Sequence, residues 1–176
     1  MFLNPRQIVN QFGILPGMKV ADFGAGSGHF TIALARLVGA AGRVYAVDIQ
    51  QNLLERIKAE AMAARLHNVE LVWGNVEQIG GTKIKDESVD AVVISNLLFQ
   101  IERKDILAEE AKRIVKRGGR VFVIDWSDSF NNLGPAPGMV VTESAAREIF
   151  QRAGFTLAES FPAGDHHYGF ACRKNK

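Results

Sequence analysis

Short unbroken apolar runs alternate with longer stretches in which apolar residues recur every three or four positions. A run of four to seven such residues suits a strand buried on both faces, and the 3–4 spacing suits a helix burying one stripe. The runs predict strands at about 18–23, at Arg43–Asp48, at Val69–Trp73, at Val89–Ser95 and at Arg120–Asp125. Between them, Phe30, Ile32, Leu34, Leu37 and Val38 mark a helix at about 27–38, and Leu53, Leu54, Ile57, Ala61 and Leu66 mark another. Ile106, Leu107, Ala111, Ile114 and Val115 mark a helix around 102–116, stopped by Gly118-Gly119. Asn4-Pro5 is a helix start, with Asn as cap and Pro in the first turn, followed by Ile8, Val9 and Phe12. A loop rich in Asn, Gly and Pro, Ser127 to Gly138, precedes a last helix beginning near Thr142.

Strands alternating with helices imply right-handed crossovers and a doubly wound, mostly parallel sheet. The ending breaks this rhythm. Phe155–Phe161 and His166–Cys172 are joined only by Pro162-Ala163-Gly164-Asp165. Four residues close a hairpin but cannot make a crossover, so the last strand is expected to run antiparallel.

Composition narrows the function classes. The 176 residues are 47% apolar, with 21 basic and 19 acidic side chains. That fits one domain over 1–176, in which residues 1–16 form a lid helix, 17–126 a cofactor-binding core, and 127–176 an acceptor-side loop, helix and hairpin. A net charge of +2 gives no case for a nucleic-acid partner. The densest basic segment, Lys112-Arg113 through Lys116-Arg117 to Arg120, reads as the polar face and exit of a helix, with phosphate binding as the alternative. No apolar run approaches a membrane span, and the opening Met1-Phe2-Leu3-Asn4-Pro5-Arg6 lacks the layout of a secretory signal. The lone Cys172 has no partner for an internal disulfide, which together with the missing signal suggests a cytoplasmic location.

The chemistry concentrates at Asp22-Phe23-Gly24-Ala25-Gly26-Ser27-Gly28-His29. Glycines at a strand end let the backbone turn tightly and approach a ligand, and the next helix points free N–H groups into the turn. A dinucleotide fingerprint would need glycine at position 29, which is His29, and a P-loop would need Gly-Lys-Ser/Thr. The spacing Asp-x-Gly-x-Gly-x-Gly instead resembles the first motif of the Rossmann-like, class I S-adenosylmethionine-dependent methyltransferases. The stretch Arg113-Ile114-Val115-Lys116-Arg117-Gly118-Gly119, Asp125-Trp126 and the His167-Tyr168 ending resemble the type-11, ubiquinone/menaquinone-biosynthesis-like branch. The resemblance spans about residues 4 to 174, with Lys-Arg-Gly-Gly replacing the usual Lys-Pro-Gly-Gly.

It implies a three-layer α/β/α sandwich whose seven strands run 3-2-1-4-5-7-6, with strand 7 antiparallel. It also implies S-adenosyl-L-methionine as cofactor and a small-molecule acceptor. Gly24, Ala25, Gly26 and Gly28 would form the turn against the ribose and methionyl carboxylate, with Asp22 near the methionyl ammonium. Asp48, ending the second strand, would accept from the ribose hydroxyls, since an ionised carboxylate is acceptor-only. Ile49 would lie against the adenine, Asn75 would accept from its amino group unless it only forms a turn, and Val76 would offer a backbone N–H. Ser95 and Asn96 would face the methionine arm, unless Asn96 only caps the next helix. His29 reads as a pocket wall and not as a base.

No general base is required, because methyl transfer from a sulfonium depends mainly on alignment. Ser95-Asn96-Leu97-Leu98-Phe99 lacks the prolines of base-amine methyltransferases, and Cys172 is badly placed for a cysteine nucleophile. The arsenite methyltransferases' thiol set is missing too. Asp125 and Asp128 line an acceptor pocket or merely cap a loop, and Asp165-His166-His167 reads as structural and not metal-binding, because adjacent strand side chains diverge. Two alternatives stay open: a non-catalytic binding or scaffold protein of the same fold, and an NAD-dependent dehydrogenase.

Overall fold

The computed structural model describes residues 3–130 and 133–175; Met1 and Phe2 of the opening segment, Asn131 and Asn132 of the long loop, and Lys176 lie outside it. The strands are β1 (Lys19–Phe23), β2 (Arg43–Asp48), β3 (Val69–Trp73), β4 (Val89–Ser95), β5 (Val115–Trp126), β6 (Phe155–Ser160) and β7 (His167–Lys174). The helices are α1 (Pro5–Val9), α2 (His29–Val38), α3 (Gln51–Ala63), α4 (Lys104–Ile114) and α5 (Glu143–Arg152).

The strands form one sheet in the order β3-β2-β1-β4-β5-β7-β6. β1 to β5 pair in parallel, while β7 runs antiparallel to both β5 and β6. Both the sheet order and the antiparallel final strand agree with the sequence reading. Side chains alternate between two cores, as pleating requires. On one face Phe23, Ile94, Val123 and Phe170 pack against Leu107, Ile114 and Phe150 of α4 and α5. On the other, Val20, Val93, Phe122 and Ile124 pack against α1 and α2, and Ala46 meets Leu54 and Ile57 of α3. Just past α1, Phe12 stacks on Phe122 at 4.0 Å between ring centroids, tying the N-terminal segment to the sheet. No described helix is long and apolar enough to cross a membrane.

Several boundaries differ from the sequence reading for identifiable reasons. α4 ends at Ile114 and not at the Gly118-Gly119 pair, because Val115 is extended (ψ 137°) and pairs with Val89. The carbonyls of Arg113 and Ile114, which a longer helix would leave unsatisfied, accept from the backbone N–H groups of Glu87 and Ser88. Gly118 and Gly119 serve instead in a bulge, since the register jumps from Val89↔Val115 to Ala91↔Arg120. α2 begins at His29, with Gly28 left-handed as its cap. α3 stops at Ala63, short of Leu66.

Candidate active site

The parallel strands all end at one edge, where an open α/β sheet places its ligands. Two adjoining cavities lie there. The larger, about 230 Å³, is lined by Gly24, Gly26, Asp48, Ile49, Asn75 and Val76, among others. The smaller, about 190 Å³, is lined by Asp22, Gly24, Ala25, Gly26, Ser95 and Asn96, with His29 in its wall. The cavities share Gly24, Gly26 and Gln100. Gly28 lines neither. A Cβ there would lie 2.7 Å from Cγ1 of Ile57, so this glycine lets the turn pack against α3. Gly24, with φ +66°, lets the backbone pass under Leu97: a Cβ would come within 2.7 Å of that side chain.

Asp48 organises the larger cavity. Its Oδ2 accepts from the Gly26 N–H and its Oδ1 from the Gln50 N–H, both at 2.9 Å, joining the glycine turn to the start of α3. Each oxygen keeps a lone pair, so the buried carboxylate can still accept from a ligand. Ile49 is 62% exposed, a large apolar side chain at the cavity mouth, and its carbonyl is held by Trp73 Nε1 at 3.0 Å. Asn75 does form a turn, with its Oδ1 accepting from the Glu77 N–H at 2.8 Å while the residue lines the cavity.

Asp22 and Asn96 define the smaller cavity. Asp22 is buried, and the Thr31 hydroxyl donates to it at 2.6 Å. Burial pushes its carboxyl up to about 7, the nearby Asp48 charge adds to this, and the Thr31 hydrogen bond opposes it. Asn96 has φ +52°, and its Oδ1 is buried without a hydrogen-bond partner among the described residues. It does not cap the 3-10 turn at Leu98–Gln100, which has no side-chain cap.

Asp125 realises the capping alternative. Its Oδ2 accepts from the N–H groups of Leu97 (3.1 Å) and Leu98 (2.8 Å), and its Oδ1 from that of Trp126. Asp128 binds His166 Nδ1 at 3.0 Å, and His166 stacks on Phe130. His167 lies over Trp126, and burial lowers its ring to about 4. Both histidines therefore tie the segment after β5 to the start of β7.

Two features escaped the sequence reading. Gln100 lines both cavities and donates to the Asn96 carbonyl at 2.6 Å. Glu110 is fully buried on α4, accepting from the N–H groups of Gly80 and Thr82, the Thr82 hydroxyl and Arg113. Burial raises its pKa, yet these donors outweigh burial and hold it below the ordinary value. A signal existed for Glu110: an acid three positions after Leu107 and four before Ile114 falls on the apolar stripe of its helix.

The donors and acceptors present select among guests. Among the described residues neither cavity is lined by Lys or Arg, and the Gly26 N–H is engaged by Asp48, which suits a pyrophosphate poorly. A buried acid in one cavity suits a cationic group. An acceptor carboxylate beside an exposed apolar side chain in the other suits a ribose and a flat base.

Comparison with known proteins points the same way. Residues 14–154 match the family model described as a methyltransferase domain. A demethylmenaquinone methyltransferase of Staphylococcus aureus (strain MRSA252) is 32% identical over 122 residues, covering 69% of this chain and 48% of its own. The ubiquinone/menaquinone biosynthesis C-methyltransferase UbiE of Haemophilus ducreyi is 31% identical over 147 residues, covering 75% and 55%. The chain thus spans about half the length of these named relatives. A crystal structure of a SAM-dependent methyltransferase from Aquifex aeolicus superposes with a TM-score of 0.88 at 26% identity, covering 97% of this chain and 89% of that one. This chain belongs to the methyltransferase domain family, in the UbiE-like branch of its Rossmann-like class I members.

Proposed function

We propose that this chain binds S-adenosylmethionine across the two cavities and transfers its methyl group to a small-molecule acceptor. The observation that carries this reading is the pairing of the buried Asp22 carboxyl and the Asn96 wall in one cavity with Asp48 and Ile49 in the next. Asp48 would accept from the ribose hydroxyls, Ile49 would cover one face of the adenine, and Asn75 and Val76 would meet its edge. The turn Gly24-Ala25-Gly26 would pass beneath the ribose and the methionine arm. Asp22, Ser95 and Asn96 would hold the methionine end, with Asp22 facing the ammonium.

When bound, the cofactor supplies a methyl on a positively charged sulfur, already activated for in-line displacement. What remains for the protein is to align the acceptor and exclude water, and positioning of this kind is worth roughly 7–11 kcal/mol of barrier. The N-terminal segment around α1, whose Leu3 and Pro5 line the smaller cavity, and the loop after β5 would cover the acceptor. The relatives named for demethylmenaquinone and for ubiquinone and menaquinone biosynthesis support a small-molecule acceptor. The lining described above weighs against the dinucleotide alternative.

Calorimetric titration with S-adenosylhomocysteine tests the binding half. We expect saturation, and Asp48→Ala should weaken it about tenfold or more, as loss of a charge-assisted acceptor implies. Absence of heat at millimolar ligand would contradict the reading. A labelled-methyl screen over small-molecule acceptors tests turnover.

A further inference from the structure

The turn after β4 supplies walls to both cavities. Asn96 is left-handed, a conformation that asparagine adopts more readily than most non-glycine residues, but its amide oxygen is buried and unpaired among the described residues, so the side-chain oxygen does not fasten the turn. Other contacts hold it. Three contacts reach it: the Asn96 N–H donates to the Ile124 carbonyl at 2.9 Å, Gln100 reaches the Asn96 carbonyl, and Asp125 takes the next two N–H groups. The Gln100 side chain is exposed and belongs to the same local segment. Asp125 is 1% exposed, sits on the neighbouring strand, and binds the N–H groups of Leu97 and Leu98 through a single oxygen.

Its other environment is consistent with that task. Tyr168 is its register partner on β7 and retains a buried hydroxyl without a partner, so the acceptor capacity of Asp125 is directed to the backbone and not to that hydroxyl. Lys104 of α4 is a cation that bears on Asp125, and it itself donates to the Ile101 carbonyl. A buried carboxylate taking three backbone N–H groups fixes a turn more firmly than a solvent-exposed cap does.

We propose that Asp125 is a positioning residue for cofactor binding: by clamping Leu97 and Leu98 it holds Asn96 in the wall of the smaller cavity and Leu97 against Gly24 in the larger. This rests on the binding reading above and adds to it a residue that lines neither cavity. It also joins the cofactor wall to the acceptor side, because Trp126 and the loop to Asp128 follow directly.

The test is a double-mutant cycle of Asp125→Ala and Asn96→Ala, read as S-adenosylhomocysteine affinity by calorimetry. In the wild-type background, Asp125→Ala should weaken binding about tenfold or more; in the Asn96→Ala background, by less than about threefold, because the group it positions is already gone. Equal losses in the two backgrounds would overturn the proposal, since a merely structural role acts independently of Asn96. If Asp125→Ala does not fold, Asp125→Asn takes its place. It keeps one oxygen for Leu97 and Leu98 but sets an NH₂ against the Trp126 N–H, and should lose about threefold, again only where Asn96 is present. Additive losses there overturn it equally. If the wild type itself fails to bind, the binding reading falls and takes this inference with it; wild-type binding with additive variants overturns this inference alone.

Discussion

Asp48 and Asp22 end neighbouring parallel strands and are both buried, yet the chain treats their carboxyl groups in opposite ways. Asp48 receives two backbone N–H donors and knits the glycine turn to α3. Asp22 is served, among the described residues, by Thr31 alone, through its hydroxyl and more weakly its backbone, and sits close enough to Asp48 for the two charges to repel. The carboxylate of the larger cavity is therefore held by the fold on both oxygens, while that of the smaller leans on one residue. On the proposed reading, the first serves stability as well as binding and the second is reserved for a cationic group. Such a division is how folded proteins accommodate function at local cost.

The comparison breaks most completely if the turn shared by both cavities is filled. Gly24→Val adds a branched side chain where even a Cβ meets Leu97, at a left-handed backbone position. Titration should find S-adenosylhomocysteine affinity lowered about a hundredfold or more.

The next experiment sharpens the contrast by sign. Asp22→Asn should weaken the same ligand about tenfold, by removing the partner of the ammonium, yet stabilise the ligand-free protein. An acid whose folded pKa is raised from 3.8 to about 7 binds more protons folded than unfolded, so its ionisation destabilises the fold as pH rises through that window. Thermal midpoints of wild type and Asp22→Asn should therefore differ little at pH 4 and most at pH 8, with the variant higher. Asp48→Asn should instead destabilise the ligand-free protein. An amide NH₂ set against the Gly26 or Gln50 N–H leaves a buried clash of donors, costing about 1–3 kcal/mol in urea unfolding. If both variants move stability in the same direction, the two carboxyl groups are not the opposites described here.

A smaller effect is expected at Glu110. Glu110→Gln keeps the shape but loses the charge that pairs with Arg113. Urea unfolding should show a loss of about 1–3 kcal/mol, with ligand affinity changed less than about threefold. The smallest is Ile49→Ala, which trims an exposed wall of the larger cavity and should weaken binding about threefold through lost apolar contact.

Much of this arrangement is legible in the sequence because it is local. Unbroken apolar runs report strands buried on both faces, a four-residue connection forces the closing antiparallel pair, and the spacing from Gly28 to Asp48 is one helix and the strand that follows it. What escaped is set by contacts between distant segments. α4 ends early because Val115 finds Val89 and because Glu87 and Ser88 take its last carbonyls. Gly28 belongs to the same motif as Gly24 and Gly26, but only the position of Ile57 shows that it packs and does not line a cavity. Likewise, no periodicity distinguishes Asp125 facing a pocket from Asp125 clamping a turn 28 residues earlier in the chain. Gln100 reaches both cavities because the Asn96–Gln100 turn folds back over Gly24, which local spacing alone does not reveal.

The most direct test of the divided cleft is the proton balance of binding. S-adenosylhomocysteine carries the ammonium assigned to the smaller cavity, so its binding should ionise Asp22 and release about half a proton per site at pH 7. Calorimetric titration in buffers of different ionisation enthalpy reads this number, and Asp22→Asn should abolish it. Saturable binding whose heat is the same in every buffer would contradict the account.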